Sequence, residues 1–249
     1  MYSAVYEQLK KLKNGTEDET NGRHIVLPWA IDFCRRLPTP RVLDVGAGRG
    51  ADLIAIRDSV PSAELSAIES FPVSVELLKR QGVEVSSINL ERDRFPFPDG
   101  AFNVVICNQV LEHLKEIFWA LSEISRVAAD DGLIILGVPN LGSAHNRTAL
   151  LFGKQPPAIH VVGPHVRGFT IDGFRSFVEA GGALKIEAVA GANFYPLPKQ
   201  AARFMSKTLP GLSVSAFFRV RKVKGARNYI DVLQSGQSKA LADTPYFTG

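Results

Sequence analysis

The chain has 249 residues, of which 45% are hydrophobic and 22% are charged, and its formal net charge at pH 7 is +4. These values are those of an ordinary globular protein, and the charge is too modest for a dedicated nucleic-acid binder. Its two cysteines give no sign of a disulfide framework or a zinc site, and no apolar run approaches the roughly 18 residues of a transmembrane helix. We expect a cytoplasmic protein, for which peripheral contact with a membrane stays open.

Short apolar runs alternate with helical patterns between residues 41 and 140. In chain order, the predicted strands are 42–45, 64–69, 83–88, 101–107 and 133–138, and the predicted helices are 50–58, 71–81 and 114–128. Ser70 is expected to cap the second of these helices, and Asp130–Asp131–Gly132 to form a turn before the fifth strand. Strands and helices that alternate without long breaks predict a doubly wound α/β sheet with right-handed crossovers.

The alternation is interrupted after Pro139 by a stretch rich in Gly, Pro and His. A loop as long as this one, residues 140–168, is usually a lid or a substrate-binding insertion. A short helical pattern near 146–152, a helix at 171–180, a strand at 185–191, a helical insertion near 198–209 and a last strand at 213–220 follow in order. We predict one domain over 1–221, with a helical cover at 1–36 and substrate-side insertions at 140–168 and 194–211. A polar tail at 222–249 follows, which we expect to be loose from about Lys224.

The stretch RVLDVGAGRG, residues 41–50, places three glycines directly after the first predicted strand. Backbone without side chains at that point suits a dinucleotide, a mononucleotide or an adenosyl group, because ligands lie at the carboxyl ends of the strands in such sheets. No GxxxxGK[ST] motif is present, so a P-loop is excluded. Ala51 is tolerated at the third position of the dinucleotide fingerprint, so the spacing alone leaves the ligand undecided.

Two acids at the ends of neighbouring strands, Asp44 and Glu69, favour an adenosyl ligand that carries positive charge. Asp44 would repel a pyrophosphate but would attract the ammonium and sulfonium groups of S-adenosylmethionine. Glu69 follows the second strand, where a carboxylate accepts hydrogen bonds from both hydroxyls of an adenosyl ribose. The alternative that both acids only cap helix N-termini stays open.

Together with FPFPDGAFNVVICNQVLEHL (95–114) and LIILGVPN (133–140), these residues resemble the class I S-adenosylmethionine-dependent methyltransferases. The likeness is to the small-molecule and glycan group related to ubiquinone-pathway methyltransferases. It covers about residues 41–140 and continues more loosely in HVRGFTIDGF (165–174). The resemblance implies S-adenosyl-L-methionine as the cofactor. It also implies a Rossmann-like, seven-stranded, mostly parallel sheet with an antiparallel last strand and helices on both faces.

The resemblance further implies which residues surround the cofactor. Asp44, Gly46, Ala47 and Gly48 would border its methionine part, Glu69 its ribose, and Ser70, Asn89 and Leu90 its adenine, while Asn108, Gln109 and Val110 would line the floor beneath the sulfonium. Two positions depart from the family, because Asn89 and Asn103 stand where Asp is common. The amide oxygen of Asn89 can still accept a hydrogen bond from the adenine amino group. At Asn103 we expect a change in a structural hydrogen bond only.

Methyl transfer from a sulfonium is an in-line displacement, in which the protein aligns the two reactants and removes a proton. Histidine suits the proton transfer near neutral pH, and the candidates are His113, His145, His160 and His165. His165, in the first insertion, is preferred as the general base or as the residue that orients the acceptor. No metal site is expected, because no acidic residue accompanies His160 and His165.

The acceptor is expected to be a small molecule, a glycan or a lipid-linked intermediate. We expect no nucleic acid, because CNQV after the fourth strand lacks the Pro-Pro-aromatic motif that holds a flipped base. A protein or nucleic-acid methyltransferase and a non-catalytic methyltransferase-like protein are the alternatives. In the second insertion, Phe204, Met205 and Leu209 are expected to pack into the core rather than to rest on a membrane.

Overall fold

The computed structural model describes residues 21–234, so the predicted cover and tail are described only in part. The strands are β1 (Arg41–Val45), β2 (Glu64–Ile68), β3 (Glu84–Ser86), β4 (Phe102–Asn108), β5 (Ala128–Pro139), β6 (Leu184–Ala192) and β7 (Ser215–Lys222). The α-helices are α1 (Arg23–Cys34), α2 (Ala51–Ser59), α3 (Pro72–Arg80), α4 (Ile117–Val127), α5 (Ala144–Leu151), α6 (Ile171–Val178), α7 (Lys199–Thr208) and α8 (Tyr229–Gln234). Short 3₁₀ turns lie at Leu111–His113, Pro157–Ile159 and Pro210–Leu212.

These strands form one sheet of seven, in the order β3-β2-β1-β4-β5-β7-β6. Neighbouring strands are parallel, except that β7 runs antiparallel to both β5 and β6. The predicted mostly parallel sheet with an antiparallel last strand is therefore confirmed. The chain places β2 and β3 on one side of β1 and then crosses back to put β4 on the other side. Ligands bind at such a reversal, beyond the carboxyl ends of the strands.

Both faces of the sheet are covered, which explains why its central strands are almost continuously apolar. Successive side chains of a strand point to opposite faces. In β4, Val105 and Cys107 therefore join one core, and Val104 and Ile106 join the other. Apolar residues of α4 and α6 complete the first core, and those of α1 and α2 complete the second. The prediction of helices on both faces is confirmed.

The start of β5 differs from the sequence prediction. Asp130–Asp131–Gly132, predicted as a turn before the strand, lies within β5, and Asp131 has a positive φ of 58°. Ala128 pairs with Phe102 and Leu133 pairs with Val104, so β5 uses more residues than β4 over this stretch. The turn-forming residues are therefore accommodated as a bulge inside a longer strand.

The segment between β4 and α4 also differs from its prediction. The helix expected from Leu114 begins at Ile117, and His113, directly before the expected start, ends a 3₁₀ turn. The turn buries the side chain of Glu112, which is 1% exposed, and leaves that of His113 40% exposed. The two neighbours therefore present an acid to the interior and an imidazole near the surface.

The second insertion packs through a different face of its helix than predicted. In α7 the buried side chains are Ala202 and Ser206, one turn apart, whereas Phe204 and Leu209 are exposed. The expectation that Phe204 and Leu209 pack into the core is wrong, because the two small residues form the contact face. Among residues 21–234, no helix has both the length and the apolar character that crossing a bilayer requires.

The tail after β7 is more ordered than its polar composition suggests. Tyr229, the first residue of α8, is fully buried in the first core, and its hydroxyl donates a hydrogen bond to the Phe177 carbonyl. The prediction that the chain is loose from about Lys224 is therefore wrong for Tyr229, which is packed in the core. Residues 235–249 lie outside the described part of the chain.

Candidate active site

The chain turns sharply where β1 ends, at the glycine loop formed by residues 46–50. The amides of Gly46 and Ala47 both donate to the Ile68 carbonyl, at the end of the neighbouring strand. Gly46 has a φ of 76°, and a Cβ there would lie 2.5 Å from Cγ2 of Val110. Glycine is therefore required by conformation and by the close approach of the segment that follows β4. Gly46 and Val110, both predicted site residues, are brought together.

Gly48, two residues further on, faces open space. Its φ is 53°, and no heavy atom lies within 4 Å of the place where a Cβ would stand. Its amide donates to Oε2 of Glu69 at 2.7 Å. The loop therefore presents bare backbone at the carboxyl edge of the sheet, in a position fixed by an acid of the next strand. A ligand can approach the main chain closely there.

The carboxylate of Glu69 organises both the glycine loop and the start of α3. Oε2 accepts from Gly48, and Oε1 accepts from the amides of Ser70 and Phe71, each at 2.8 Å. Ser70 was predicted to cap α3 with its side chain, and that prediction is wrong, because Glu69 accepts from the backbone before the helix. A carboxylate has about four acceptor sites, and three are used here. Its contact with a ribose stays a prediction.

Asp44 is an acid held in an environment that disfavours its charge. Its side chain is buried, and burial raises its pKa well above the usual range. Asp52 and Glu69 raise that pKa further through charge repulsion, and Arg23 acts in the opposite direction. A cationic ligand beside Asp44 would stabilise its ionised form. The ammonium and sulfonium groups of S-adenosylmethionine fit this requirement, and a pyrophosphate does not.

Asn108 and Gln109, predicted to line the floor of the site, each carry a buried polar atom without a protein partner. Nδ2 of Asn108 donates to the Asn21 carbonyl, but its Oδ1 has no partner. The backbone amide of Gln109 donates to the Gly137 carbonyl, and the residue has a positive φ of 57°. The side-chain Nε2 of Gln109 has no partner. Buried polar atoms are rarely left unpaired, and functional sites are one place where they occur. These atoms fit a polar ligand at the ends of β4 and β5.

The positions that depart from the family pattern have clear surroundings. The Oδ1 atom of Asn103 accepts from the Arg41 amide at 2.9 Å, so this residue has the structural role that was expected. Asn89 is exposed, and its Oδ1 accepts from the Glu91 amide. One acceptor site of this amide oxygen therefore remains for an adenine amino group. Leu90 is half-buried against the first core.

Asn140, directly after β5, anchors the two insertions to each other. Its side chain donates to the carbonyls of Gly211 and Ser213 and accepts from the Gly142 amide. Its backbone forms a bridge with Phe169, so the first insertion leaves and rejoins the sheet at one place. The rings of His145 and Tyr195 are 5.9 Å apart and add a second contact between the insertions. Both insertions therefore meet beyond the carboxyl end of β5.

The predicted catalytic histidines do not lie together as a group. The ring centroids of His113 and His165 are 4.8 Å apart, whereas His160 is exposed and is not part of their cluster. His145 lies in the other contact between the insertions, and burial lowers its pKa. Burial therefore keeps His145 neutral to lower pH than usual. His113 and His165 remain the candidates that the fold brings to one point.

Glu112 is the residue that sequence reasoning missed. Its ligand atoms and those of His113 and His165 all lie within 4.8 Å of one another, so the reason for expecting no metal site, that His165 has no acidic partner, is wrong. Burial raises the pKa of Glu112 to about 7, and its Oε2 is a buried atom without a partner. The signal was an acid within the apolar run VLEHL, directly after a buried strand.

Hydrogen bonds join the first insertion to the turn that carries Glu112. The Glu112 carbonyl accepts from the amides of Val166, at 2.8 Å, and Arg167, at 3.2 Å. The guanidinium of Arg167 donates to the carbonyls of Leu114 and Lys115. The turn after β4 therefore holds the insertion through backbone contacts as well as through the two rings.

Comparison with known proteins places this site in a family. A family model described as a methyltransferase domain matches residues 12–182 of the chain. Demethylmenaquinone methyltransferase of Thermus thermophilus is 29% identical over 115 residues, which cover 44% of this chain and 52% of that protein. Malonyl-[acyl-carrier protein] O-methyltransferase of Geobacter sulfurreducens is 31% identical over 108 residues, which cover 41% and 39%. The chain thus spans about half, or less, of the length of the curated relatives it matches.

The comparison with solved structures agrees with the match to the methyltransferase domain family. One from Thermotoga maritima, described as an S-adenosylmethionine-dependent methyltransferase and possible histamine N-methyltransferase, has a TM-score of 0.56 at 15% identity. The match covers 89% of this chain and 100% of that one. At such identity the likeness shows the fold alone, and the family model, which spans more than half of the chain, carries the assignment. The chain therefore belongs to the methyltransferase domain family, and its fold is that of S-adenosylmethionine-dependent methyltransferases.

Proposed function

We propose that the protein transfers a methyl group from S-adenosylmethionine to an oxygen or nitrogen atom of a small acceptor. Within the predicted classes of small molecule, glycan and lipid-linked intermediate, we favour an acceptor with an apolar part. The bound donor would supply the methyl group, whose bond to sulfur breaks as its bond to the acceptor forms. A neutral thioether and one proton are then left.

Asp44 is the observation that carries the donor assignment. Its carboxyl is buried at the carboxyl end of β1, where burial and two neighbouring acids raise its pKa. A site of this kind favours a cation over an anion. The unpartnered Oδ1 of Asn108 and Nε2 of Gln109 supply an acceptor and a donor for the polar methionine part. Gly48 leaves room for the ligand beside the main chain.

The acceptor side is proposed to lie at Glu112, His113 and His165. Nδ1 of His165 is 2.9 Å from the Ala158 carbonyl, and Nδ1 of His113 is 3.1 Å from the Pro164 carbonyl. A carbonyl oxygen only accepts hydrogen bonds, so Nδ1 carries the proton in both rings. In this tautomer the proton is on Nδ1, so Nε2 is the ring nitrogen that offers a lone pair. Such nitrogens can take a proton from the acceptor, or orient it, as predicted for His165.

Exposed apolar side chains favour an acceptor with an apolar part. Of the thirteen large hydrophobic residues exposed within the described range, ten lie in the two insertions. They are Leu150, Leu151, Phe152, Val161, Val162, Val166, Tyr195, Leu197, Phe204 and Leu209. Large exposed apolar surfaces usually mark binding sites for ligands, proteins or membranes. An apolar substituent or lipid chain on the acceptor would lie against them. The cytoplasmic location stays a prediction.

Labelled methyl transfer tests this function. The purified chain is incubated with S-adenosylmethionine labelled on its methyl group and with lysate separated into lipid-extract, aqueous small-molecule, protein and nucleic-acid fractions. We expect label in the lipid extract or in the small-molecule fraction, with a preference for the extract. Label confined to protein or nucleic acid, or no transfer to any fraction, contradicts the proposal. The Asp44→Asn variant is the negative control, because an amide does not attract the cationic donor.

A further inference from the structure

Glu112 is an unusual residue for the interior of this protein. Its side chain is 1% exposed, and its Oε2 atom has no hydrogen-bond partner. An unpaired polar atom in the interior is destabilising, and an unpaired ionised carboxylate is more so. Its Oε1 is 3.9 Å from Nε2 of His113, beyond hydrogen-bond range. The carboxylate is thus directed at the histidines without being paired to them.

The two histidines are oriented in the way that metal-binding histidines usually are. In both rings Nδ1 donates to a backbone carbonyl, and such a hydrogen bond fixes the tautomer and directs the lone pair of Nε2 to an ion. Both accepting carbonyls, of Pro164 and Ala158, belong to the first insertion. The insertion therefore supplies one imidazole and orients both of them.

We propose that Glu112, His113 and His165 bind a divalent first-row transition-metal ion, which joins the turn after β4 to the first insertion. Among residues 21–234, these three form the one group of His, Cys, Asp and Glu whose ligand atoms converge in this way. Two imidazoles and a carboxylate are a ligand set known for catalytic Zn²⁺ and for Fe²⁺, whereas Mg²⁺ prefers oxygen ligands. Three protein ligands leave at least one coordination position open.

The distances between the three ligand atoms are longer than those around a bound ion, so the site would contract when the ion binds. Two ligands about 2.1 Å from a tetrahedral ion lie about 3.4 Å apart, by the usual metal–ligand distances. The three ligand atoms here lie within 4.8 Å of one another, so movements of about 1 Å would bring them into range. Such movements are small for His113, whose ring is partly exposed, and for His165, which lies on a loop.

The position of the ion gives it a role in the proposed reaction, and this part of the inference rests on the proposed function. Val110, which packs on Gly46 of the glycine loop, is separated from Glu112 by one residue. An ion held by Glu112 would thus lie on the acceptor side of the methyl donor. An acceptor hydroxyl in the open coordination position would have a lowered pKa and a fixed orientation. The proton of that hydroxyl would pass to solvent water, and His165 would then act through the ion rather than as the base itself.

Metal titration of the full chain tests the site. The protein is stripped with a chelator and titrated with Zn²⁺ by calorimetry, and with Co²⁺ by absorption spectroscopy. We expect one equivalent to bind in wild type, and Glu112→Gln or His165→Ala to weaken it at least about 10-fold, as losses of even indirect metal contacts do. His160→Ala is the matched control, because that exposed imidazole of the same insertion lies outside the cluster and should leave the affinity unchanged.

Several outcomes would overturn the inference. They are the absence of saturable binding in wild type, equal affinity in wild type and Glu112→Gln, an equal loss in His160→Ala, and binding of Mg²⁺ in preference to Zn²⁺. Circular dichroism checks that each variant folds, and His113→Ala offers a ligand change at a more exposed position. Binding of S-adenosylmethionine is measured on the same samples. Absence of metal binding in wild type with intact binding of S-adenosylmethionine contradicts this inference alone, whereas metal binding without binding of S-adenosylmethionine contradicts only the proposed function.

Discussion

The donor side and the acceptor side of the proposed active site are formed differently. On the donor side, Glu69 reaches the glycine loop across two adjacent parallel strands, and most of the contacts are to backbone amides. On the acceptor side, Glu112 and His113 meet His165 of the first insertion, which is joined to them by backbone carbonyls and ring contacts. The donor side depends on local geometry at the carboxyl ends of two neighbouring strands. The acceptor side depends on how one insertion of this chain folds back.

The geometry of the donor side therefore follows from the fold, whereas that of the acceptor side follows from the path of an insertion in this particular chain. The donor side carries acids and bare backbone, which suit a cofactor shared by a family. The acceptor side carries imidazoles, a buried acid and exposed apolar residues, which suit one kind of acceptor. We therefore expect variants of the two sides to change different measured quantities.

The largest effect is expected on the acceptor side. His165→Ala should lower turnover by about 10²-fold or more, the scale for loss of assistance to proton transfer, which His165 would give either as the base or through the bound ion. The dissociation constant of S-adenosylmethionine should stay unchanged, because His165 contacts the turn after β4 and not the glycine loop. Initial rates with the labelled donor and calorimetric titration measure the two quantities. A loss of affinity for S-adenosylmethionine as large as the loss of turnover would show that the donor and acceptor sides do not act independently.

An intermediate effect is expected on the donor side. Glu69→Ala removes an acceptor of three backbone hydrogen bonds together with the predicted ribose contact. Cofactor binding should weaken by about 1.5–3 kcal/mol, the range for hydrogen bonds to a charged group. The control is Glu64→Ala, at the opposite end of β2, where the side chain is exposed beside Arg41. Wild-type affinity in Glu69→Ala would remove the ribose assignment, and affinity for Zn²⁺ should stay unchanged in both variants.

The smallest effect is expected at the adenine edge. Asn89→Ala should weaken cofactor binding by about 0.5–1.5 kcal/mol, the usual contribution of a neutral hydrogen bond. Asn89→Asp keeps an acceptor oxygen for the Glu91 amide and for adenine, so it should bind at least as well as wild type. Competition titrations with S-adenosylhomocysteine and adenosine can resolve differences of this size. A loss in Asn89→Asp as large as that in Asn89→Ala would argue against the adenine contact.

Sequence patterns predicted the sheet and the glycine loop well because their geometry is local. The alternation of strands and helices gave the sheet, and Gly46 and Gly48 do adopt the positive φ values that three spaced glycines suggest. Boundaries were less accurate where turn-forming residues were absorbed into a strand, as at Asp130–Asp131–Gly132. The role of Ser70 was misassigned, because a carboxylate one residue earlier reaches the same backbone amides.

The acceptor side could not be predicted in the same way. No local periodicity indicates that His165 returns to Glu112, since the contact depends on the path of an irregular insertion. Packing of the second insertion was misjudged for a related reason. Its helix uses the small residues Ala202 and Ser206 as its contact face, so the larger Phe204 is left exposed. Hydrophobicity alone does not identify which face of a short helix finds a partner.

Calorimetric titration of the purified full chain with S-adenosylmethionine tests the central claim most directly, namely that a buried acid at the end of β1 holds a cationic adenosyl donor. We predict saturable binding of one equivalent in wild type and a clear loss of affinity in Asp44→Asn, in which the buried negative charge is removed. The affinity for S-adenosylhomocysteine, which lacks the sulfonium charge, should fall less in that variant than the affinity for S-adenosylmethionine. Absence of binding by the wild-type protein, or equal affinity in wild type and Asp44→Asn, would contradict the account.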